Sequence, residues 1–153
     1  MAAIEHTINP RDINLTCSCF NLRKTTRAVT QFFDHALEPA GIRATQFTLL
    51  ISLASVPAGT LTEMANNLVM DRTTLTRNLK PLEKLGLIES KHARDKRSKA
   101  YAVTEQGRKI ISQSIPLWKV AQHKIVFQLK EPRFNALLVE LAAVTQIITD
   151  NHQ

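Results

Sequence analysis

Three groups of residues in this chain have the types and spacing to do chemistry. The first is Asp71-Arg72-Thr73-Thr74-Leu75-Thr76-Arg77, followed by Lys80 and Lys84. An arginine fork donates two parallel hydrogen bonds to the guanine edge, and threonine offers a hydroxyl or a methyl to a base. The second is Arg94-Asp95-Lys96-Arg97, three cations around one acid, where a charge-assisted hydrogen bond from Arg97 to Asp95 would orient the guanidinium. The third is Cys17-Ser18-Cys19. Two thiols at this spacing have three uses: oxidation, soft-metal binding, or packing as small hydrophobes. Two thiolates are too few for a closed zinc site unless a second chain supplies two more. Catalytic machinery is not expected. The chain has no Gly-rich phosphate loop, no nucleophile elbow and no His-Glu-x-x-His helix. The histidines (His6, His35, His92, His123, His152) are scattered, and neither a cofactor nor a metal site is expected.

Charge concentrates on the first two groups. The net charge is +7, and the stretch from Asp71 to Lys99 holds nine Lys/Arg against four Asp/Glu, so +5 of the total lies there. Such a stretch is either a solvated charged face or the electrostatic footprint of a polyanion partner. The 153 residues fit one globular domain, 1–153, long enough to bury a core. No apolar run reaches the roughly 18 residues of a membrane span. The start MAAIEHTINPRD lacks the basic-then-apolar order of a signal peptide, so a cytoplasmic location and no membrane partner are expected. Two cysteines build no disulfide framework, in keeping with a reducing compartment.

Several elements must position these groups. Leu15, Cys19, Leu22, Thr26, Val29, Phe33 and Ala36 recur every three or four residues, which predicts one helix from about Ile13 to Leu37, ended by Pro39 and Gly41. A second helix spans about 44–55. A short one spans about 62–68, with Thr60-x-x-Glu63 as a capping box and Thr62 as an alternative cap. Asp71 caps a longer helix to about Leu85, stopped by Gly86. Residues 88–91 and 99–103 read as strands around the loop HARDKRS. Thr104 caps a long helix to about Lys130, in which Pro116 should produce a kink or a split. A last helix follows Pro132, with Phe134, Leu137, Leu138, Leu141, Val144 and Ile148 as its apolar stripe.

The expected class is mainly α with a small β-hairpin (α+β). Two helices joined by a short turn and followed by a basic hairpin make a winged helix-turn-helix, here over 44–104. Its second helix fits the major groove of duplex DNA, with Arg72, Thr73, Thr74, Thr76 and Arg77 as candidate contacts and Lys80 and Lys84 toward phosphates. Arg94, Asp95, Lys96 and Arg97 suit the narrow, negative minor groove. The apolar stripes of 13–38 and 105–150 exceed what a small winged domain covers, so these helices are expected to form a homodimer.

Asn67-Leu68, the run Asp71 to Arg77, Leu82-Glu83-Lys84-Leu85-Gly86-Leu87-Ile88, Asp95-Lys96-Arg97-Ser98 and Val103-Thr104-Glu105-Gln106-Gly107 together resemble the MarR family of bacterial transcriptional regulators. The resemblance runs from about Leu15 to the C-terminus. It implies an obligate dimer on a pseudo-palindromic operator, usually as a repressor, released by a small phenolic or lipophilic ligand or by thiol oxidation. It also implies a ligand pocket between the dimer helices and the DNA-binding lobe, where Phe33, His35, Phe47 and Trp118 are candidate lining residues or plain core. Cys19-Phe20 resembles the first helix of the family's organic-peroxide sensors, although Arg23 and Phe33 stand where that subgroup has tyrosines. Cys19, or Cys17, is thus either a redox sensor, a soft-ligand donor or a packing residue. Alternatives of other classes are a nonspecific architectural DNA-binding protein and a protein-interaction module.

Overall fold

Helix starts in this chain are marked by side chains that take up free backbone amides. The computed structural model describes residues 9–55, 60–92 and 99–150. Among these the elements are α1 (Pro10–Thr16), α2 (Ser18–Leu37) with a 3-10 turn at Glu38–Ala40, α3 (Ala44–Ser55), α4 (Leu61–Asn67), α5 (Arg72–Lys84), β1 (Ile88–His92), β2 (Lys99–Val103), α6 (Glu105–Leu129) and α7 (Glu131–Asp150). Thr60 rather than Thr62 caps α4. Its Oγ1 accepts the Glu63 N–H at 3.2 Å, and Glu63 Oε2 accepts the Thr60 N–H at 2.7 Å, closing both halves of the capping box. Asp71 Oδ1 accepts the Thr74 N–H at 2.8 Å and starts α5. Gly86, at φ +68°, ends the recognition segment in the left-handed region that favours glycine.

The first helix departs from expectation. It is two helices that meet at Cys17, which is extended (φ −70°, ψ 114°). Cys17 Sγ accepts the Phe20 N–H at 3.4 Å and so caps α2, while Asn21 Nδ2 donates to the carbonyls of Asn14, Leu15 and Cys17 at the end of α1. These local side-chain bonds give the backbone an alternative to a continuous helix. An apolar period of three and four passes over a single non-helical residue without registering it. At Pro116 one of the two expected outcomes, the split, is excluded. Helix α6 runs unbroken from Glu105 to Leu129, and the break falls at Lys130 (φ +68°). Fully buried Ser114 and Ala121, 2% exposed, flank the proline. That packing outweighs one lost backbone bond.

The sheet is one antiparallel pair, with Ile88 opposite Val103 and Ser90 opposite Tyr101. The core lies under the hairpin and α5. Leu75, Leu79 and Leu82, at helical spacing, are fully buried with Leu37, Leu50 and Ile88, and Phe47, Leu61, Leu87 and Tyr101 belong to the same cluster. Hydrogen bonds at Thr104 tie the lobe to the start of α6. Thr104 Oγ1 donates to the Gly86 carbonyl at 2.6 Å and accepts the Gly107 N–H at 3.0 Å, while the Thr104 N–H donates to the Leu87 carbonyl at 3.1 Å. A Cβ on Gly107 would collide with the Leu87 carbonyl oxygen and sit 2.7 Å from Val103 Cγ1. No side chain larger than hydrogen fits where α6 crosses the hairpin base. No helix among the described residues is long and apolar enough to cross a membrane.

Candidate nucleic-acid interface

The apolar side of α5 is buried, so its polar side must face out. Arg72, Thr73, Thr76, Arg77 and Lys80 line one open concave surface of about 630 Å³, with Leu61 of α4 as its apolar wall. Arg72, Thr73, Arg77 and Lys80 are exposed, and among the described residues no ion pair engages their cations. Thr76 is half-buried, and its hydroxyl donates to the Arg72 carbonyl at 2.7 Å. It therefore presents lone pairs and a methyl group outward rather than a donor. Thr74 lies apart from this surface, beside the cap. Its hydroxyl and N–H hold the Asp71 carboxyl below the usual carboxylate range. The resulting anion favours the positive end of the helix macrodipole.

The turn that sets α5 against α4 contains Val69 in the left-handed region, at φ +51°. A β-branched residue is strained there. The Val69 N–H donates to the Asn66 carbonyl and the Met70 N–H to the Ala65 carbonyl, which holds the turn. Nothing in the residue type announced this conformation. The second group of candidate contacts, Arg94, Asp95, Lys96 and Arg97, lies outside the described residues. The strand stems that carry them are in place, with His92 paired to Lys99 at the last step of the ladder.

The remaining candidates fall in two places. Phe33, Phe47 and Trp118 line one cavity of about 300 Å³ between α2, α3 and α6, where the rings of Phe47 and Trp118 lie 6.5 Å apart. His35 is not with them. It is exposed and its Nδ1 sits 3.5 Å from Glu38 Oε2. Sequence reasoning missed Val29, Thr30 and Gln122 in this lining; the spacing of Val29 and Phe33 at i and i+4 was the available signal. Cys17 is half-buried at its cap and Cys19 is exposed, so neither belongs to the core. Groups of three or more His, Cys, Asp or Glu able to hold a metal ion are absent among the described residues.

A helix pair with an outward polar edge, followed by a hairpin and flanked by long helices, is a winged helix-turn-helix. Comparison with known proteins narrows the class. The MarR family model matches residues 42–99. The transcriptional regulator MosR of M. tuberculosis, solved in complex with DNA, is 31% identical and superposes with a TM-score of 0.75 over 86% of this chain and 98% of MosR. Two regulators of Bacillus subtilis also match. The organic hydroperoxide resistance transcriptional regulator is 33% identical over 90 residues, and the HTH-type regulator YwoH is 27% identical over 88. Each alignment covers 58% of this chain, and they cover 61% and 64% of those relatives respectively. The chain belongs to the MarR family.

Proposed function

We propose that this chain is a homodimeric, sequence-specific DNA-binding transcriptional regulator, acting as a repressor in the cytoplasm. The observation that carries this reading is the single open face formed by Arg72, Thr73, Thr76, Arg77 and Lys80 at the exposed edge of α5. Arg72 and Arg77 read guanine edges in the major groove, Thr73 and Thr76 offer methyl and acceptor contacts, and Lys80 and Lys84 hold phosphates. Arg94, Asp95, Lys96 and Arg97 reach the flanking minor groove. Two protomers place their α5 helices about one DNA turn, roughly 34–36 Å, apart on a pseudo-palindrome. MosR, crystallised on DNA, supports the assignment. Footprinting on genomic fragments tests it. Arg77→Ala weakens operator binding by about 1–3 kcal/mol and relaxes one base position, whereas Lys80→Ala weakens all sites alike and lowers the salt slope by about 1. Equal affinity for every fragment would leave only a nonspecific architectural role.

The second copy covers helices left bare in one chain. Leu15 is 78% exposed and Val120 and Phe127 are each 60% exposed, with Leu138 and Ile148 about half exposed on α7. An apolar surface of this extent marks an interface. The cavity under Phe33, Phe47 and Trp118 suits a small lipophilic or phenolic effector that releases DNA, and quenching of Trp118, the sole tryptophan, reads its occupancy.

A thiol-based reading is favoured by one observation, the Cys17 Sγ cap at the start of α2. A hydroperoxide oxidising that thiol to a sulfenic acid, with release of the alcohol, would replace the cap at the edge of the dimer helices. The hydroperoxide resistance regulator of Bacillus subtilis supports the same direction. Operator binding measured before and after peroxide, in the wild type and in Cys17→Ser and Cys19→Ser, separates this from ligand release. Unchanged binding in the wild type removes the thiol reading.

A further inference from the structure

The winged lobe contains a cavity that none of the above uses. It lies between the C-terminal half of α3, α4 and strand β2, on the other side of Leu61 from the recognition face. Its volume is about 260 Å³ and its walls are Ile51, Leu53, Leu61, Met64, Leu68 and Tyr101. It opens to solvent where Ser55, Glu63 and Asn67 are exposed. An apolar cavity of about 150 Å³ stays dry and holds benzene, so this one has room for a molecule nearer two fused rings.

The polar groups around it define what would be accepted. Ser52 and Ser55 donate their hydroxyls to the carbonyls of Thr48 and Ile51, one turn back in the same helix. The Glu63 carboxylate is engaged by the N–H and hydroxyl of Thr60, which hold it below the usual carboxylate range. It is the only ionisable acid or base other than the Tyr101 phenol among the described lining residues, and its negative charge repels anions. Burial and the nearby Glu83 push the Tyr101 phenol up, so that wall stays neutral. Among the described residues no hydrogen bond engages the Asn67 amide, which leaves one polar group free at the rim.

We propose that this cavity is a small-molecule site of the winged lobe, taking one uncharged, lipophilic, bicyclic-sized molecule with at most one polar group. It is separate from the Trp118 cavity and shares no lining residue with it. Leu61 lines both this cavity and the surface that carries Arg72 and Arg77. An occupant therefore presses on the wall of the recognition face directly, without passing through the dimer helices. That consequence rests on the DNA-binding reading; the site itself does not.

The test uses the full chain with ¹³C-methyl methionine and ¹⁵N labels, titrated with indole as probe and with benzoate as the anionic control. Met64 lines the cavity and Met70 does not, and Trp118 is the only tryptophan. The expected result is a saturable shift of the Met64 methyl with Met70 unmoved and no response to benzoate; any shift of the Trp118 side-chain N–H reports the other cavity separately. Ser52→Leu and Leu53→Phe, which fill the cavity, each weaken indole binding at least tenfold. A Met64 methyl that stays still, or benzoate binding as tightly as indole, overturns the proposal, and so does an unchanged titration in either folded variant. If both variants unfold, the wild-type contrast between Met64 and Met70 still decides. Indole should also change operator affinity in the wild type and not in Ser52→Leu. Bound indole with unchanged DNA affinity overturns the coupling through Leu61, whereas failure to bind any DNA fragment sinks the regulator reading and leaves the cavity measurement standing.

Discussion

On α5, Leu75, Leu79 and Leu82 recur at helical spacing and are fully buried; on α7, Leu137, Leu138, Leu141 and Ile148 recur at helical spacing and stay between 39% and 52% exposed. The two stripes read alike in the sequence, yet their surroundings differ. α5 has α3, α4 and the hairpin around it, which close a core inside one chain. Among the described residues α7 packs mainly on α6 and buries no residue completely. The winged lobe thus closes its core within one chain, while the terminal helices leave an apolar surface open, the one the proposed homodimer would cover. Equal periodicity therefore marks a helix that packs, without naming what it packs against.

The contrast yields measurements that would break or sharpen it. Leu79→Ala, in the finished core, should lower the unfolding free energy by about 2–5 kcal/mol in urea titrations. Little loss would mean that the lobe is not the stable unit. The pair Leu138→Asp and Ile148→Asp should leave the lobe folded by circular dichroism but convert the protein to monomer in sedimentation, raising the dimer Kd by about 100-fold, or some 2.7 kcal/mol. A dimer that survives both charges would place the interface elsewhere. Gly107→Ala acts at the junction of the two regions, where overpacking should cost about 1–3 kcal/mol of stability and shift the hairpin relative to α6. A neutral result would show that the junction yields.

The smallest effect concerns pH and belongs to the lobe. The carboxyls of Glu63 and Asp71 are both held below their ordinary values of 4.5 and 3.8 by hydrogen bonds from Thr60 and Thr74. Groups with depressed values stabilise the fold above those ordinary values and lose that contribution as pH falls through the folded-state value. Melting temperature should therefore drop modestly below about pH 4, and less so in Asp71→Ala, which already lacks one of the caps. Equal acid sensitivity in that variant would assign the drop to other groups.

Much of the lobe was legible in advance because its signals are local. Thr60-x-x-Glu63, Asp71, Gly86 and Thr104 mark helix ends through bonds between residues two or three apart, and each stands where its chemistry required. The misreadings share a different origin. Cys17 interrupts the first helix because Asn21 reaches back to the carbonyls of Asn14 and Leu15, an arrangement that apolar spacing does not encode. Pro116 fails to split α6 because burial around Ser114 and Ala121 outweighs one missing donor. His35 leaves the aromatic cavity because its helix turns it outward toward Glu38. Val69 drew no expectation at all, and its left-handed conformation belongs to the α4–α5 turn.

The amino-acid order alone determined where the helices of the lobe start and stop, which side of α5 is polar, and where positive charge gathers, since caps, periodicity and charge act over a few residues. Only the tertiary structure decided which of those groups share a surface. It set Leu61 of α4 beside the polar side of α5, brought Phe33, Phe47 and Trp118 from three helices to one cavity, and left the stripe of α7 uncovered. Contacts between residues far apart in the chain depend on how whole elements pack, and packing is settled by the shape of every neighbour at once.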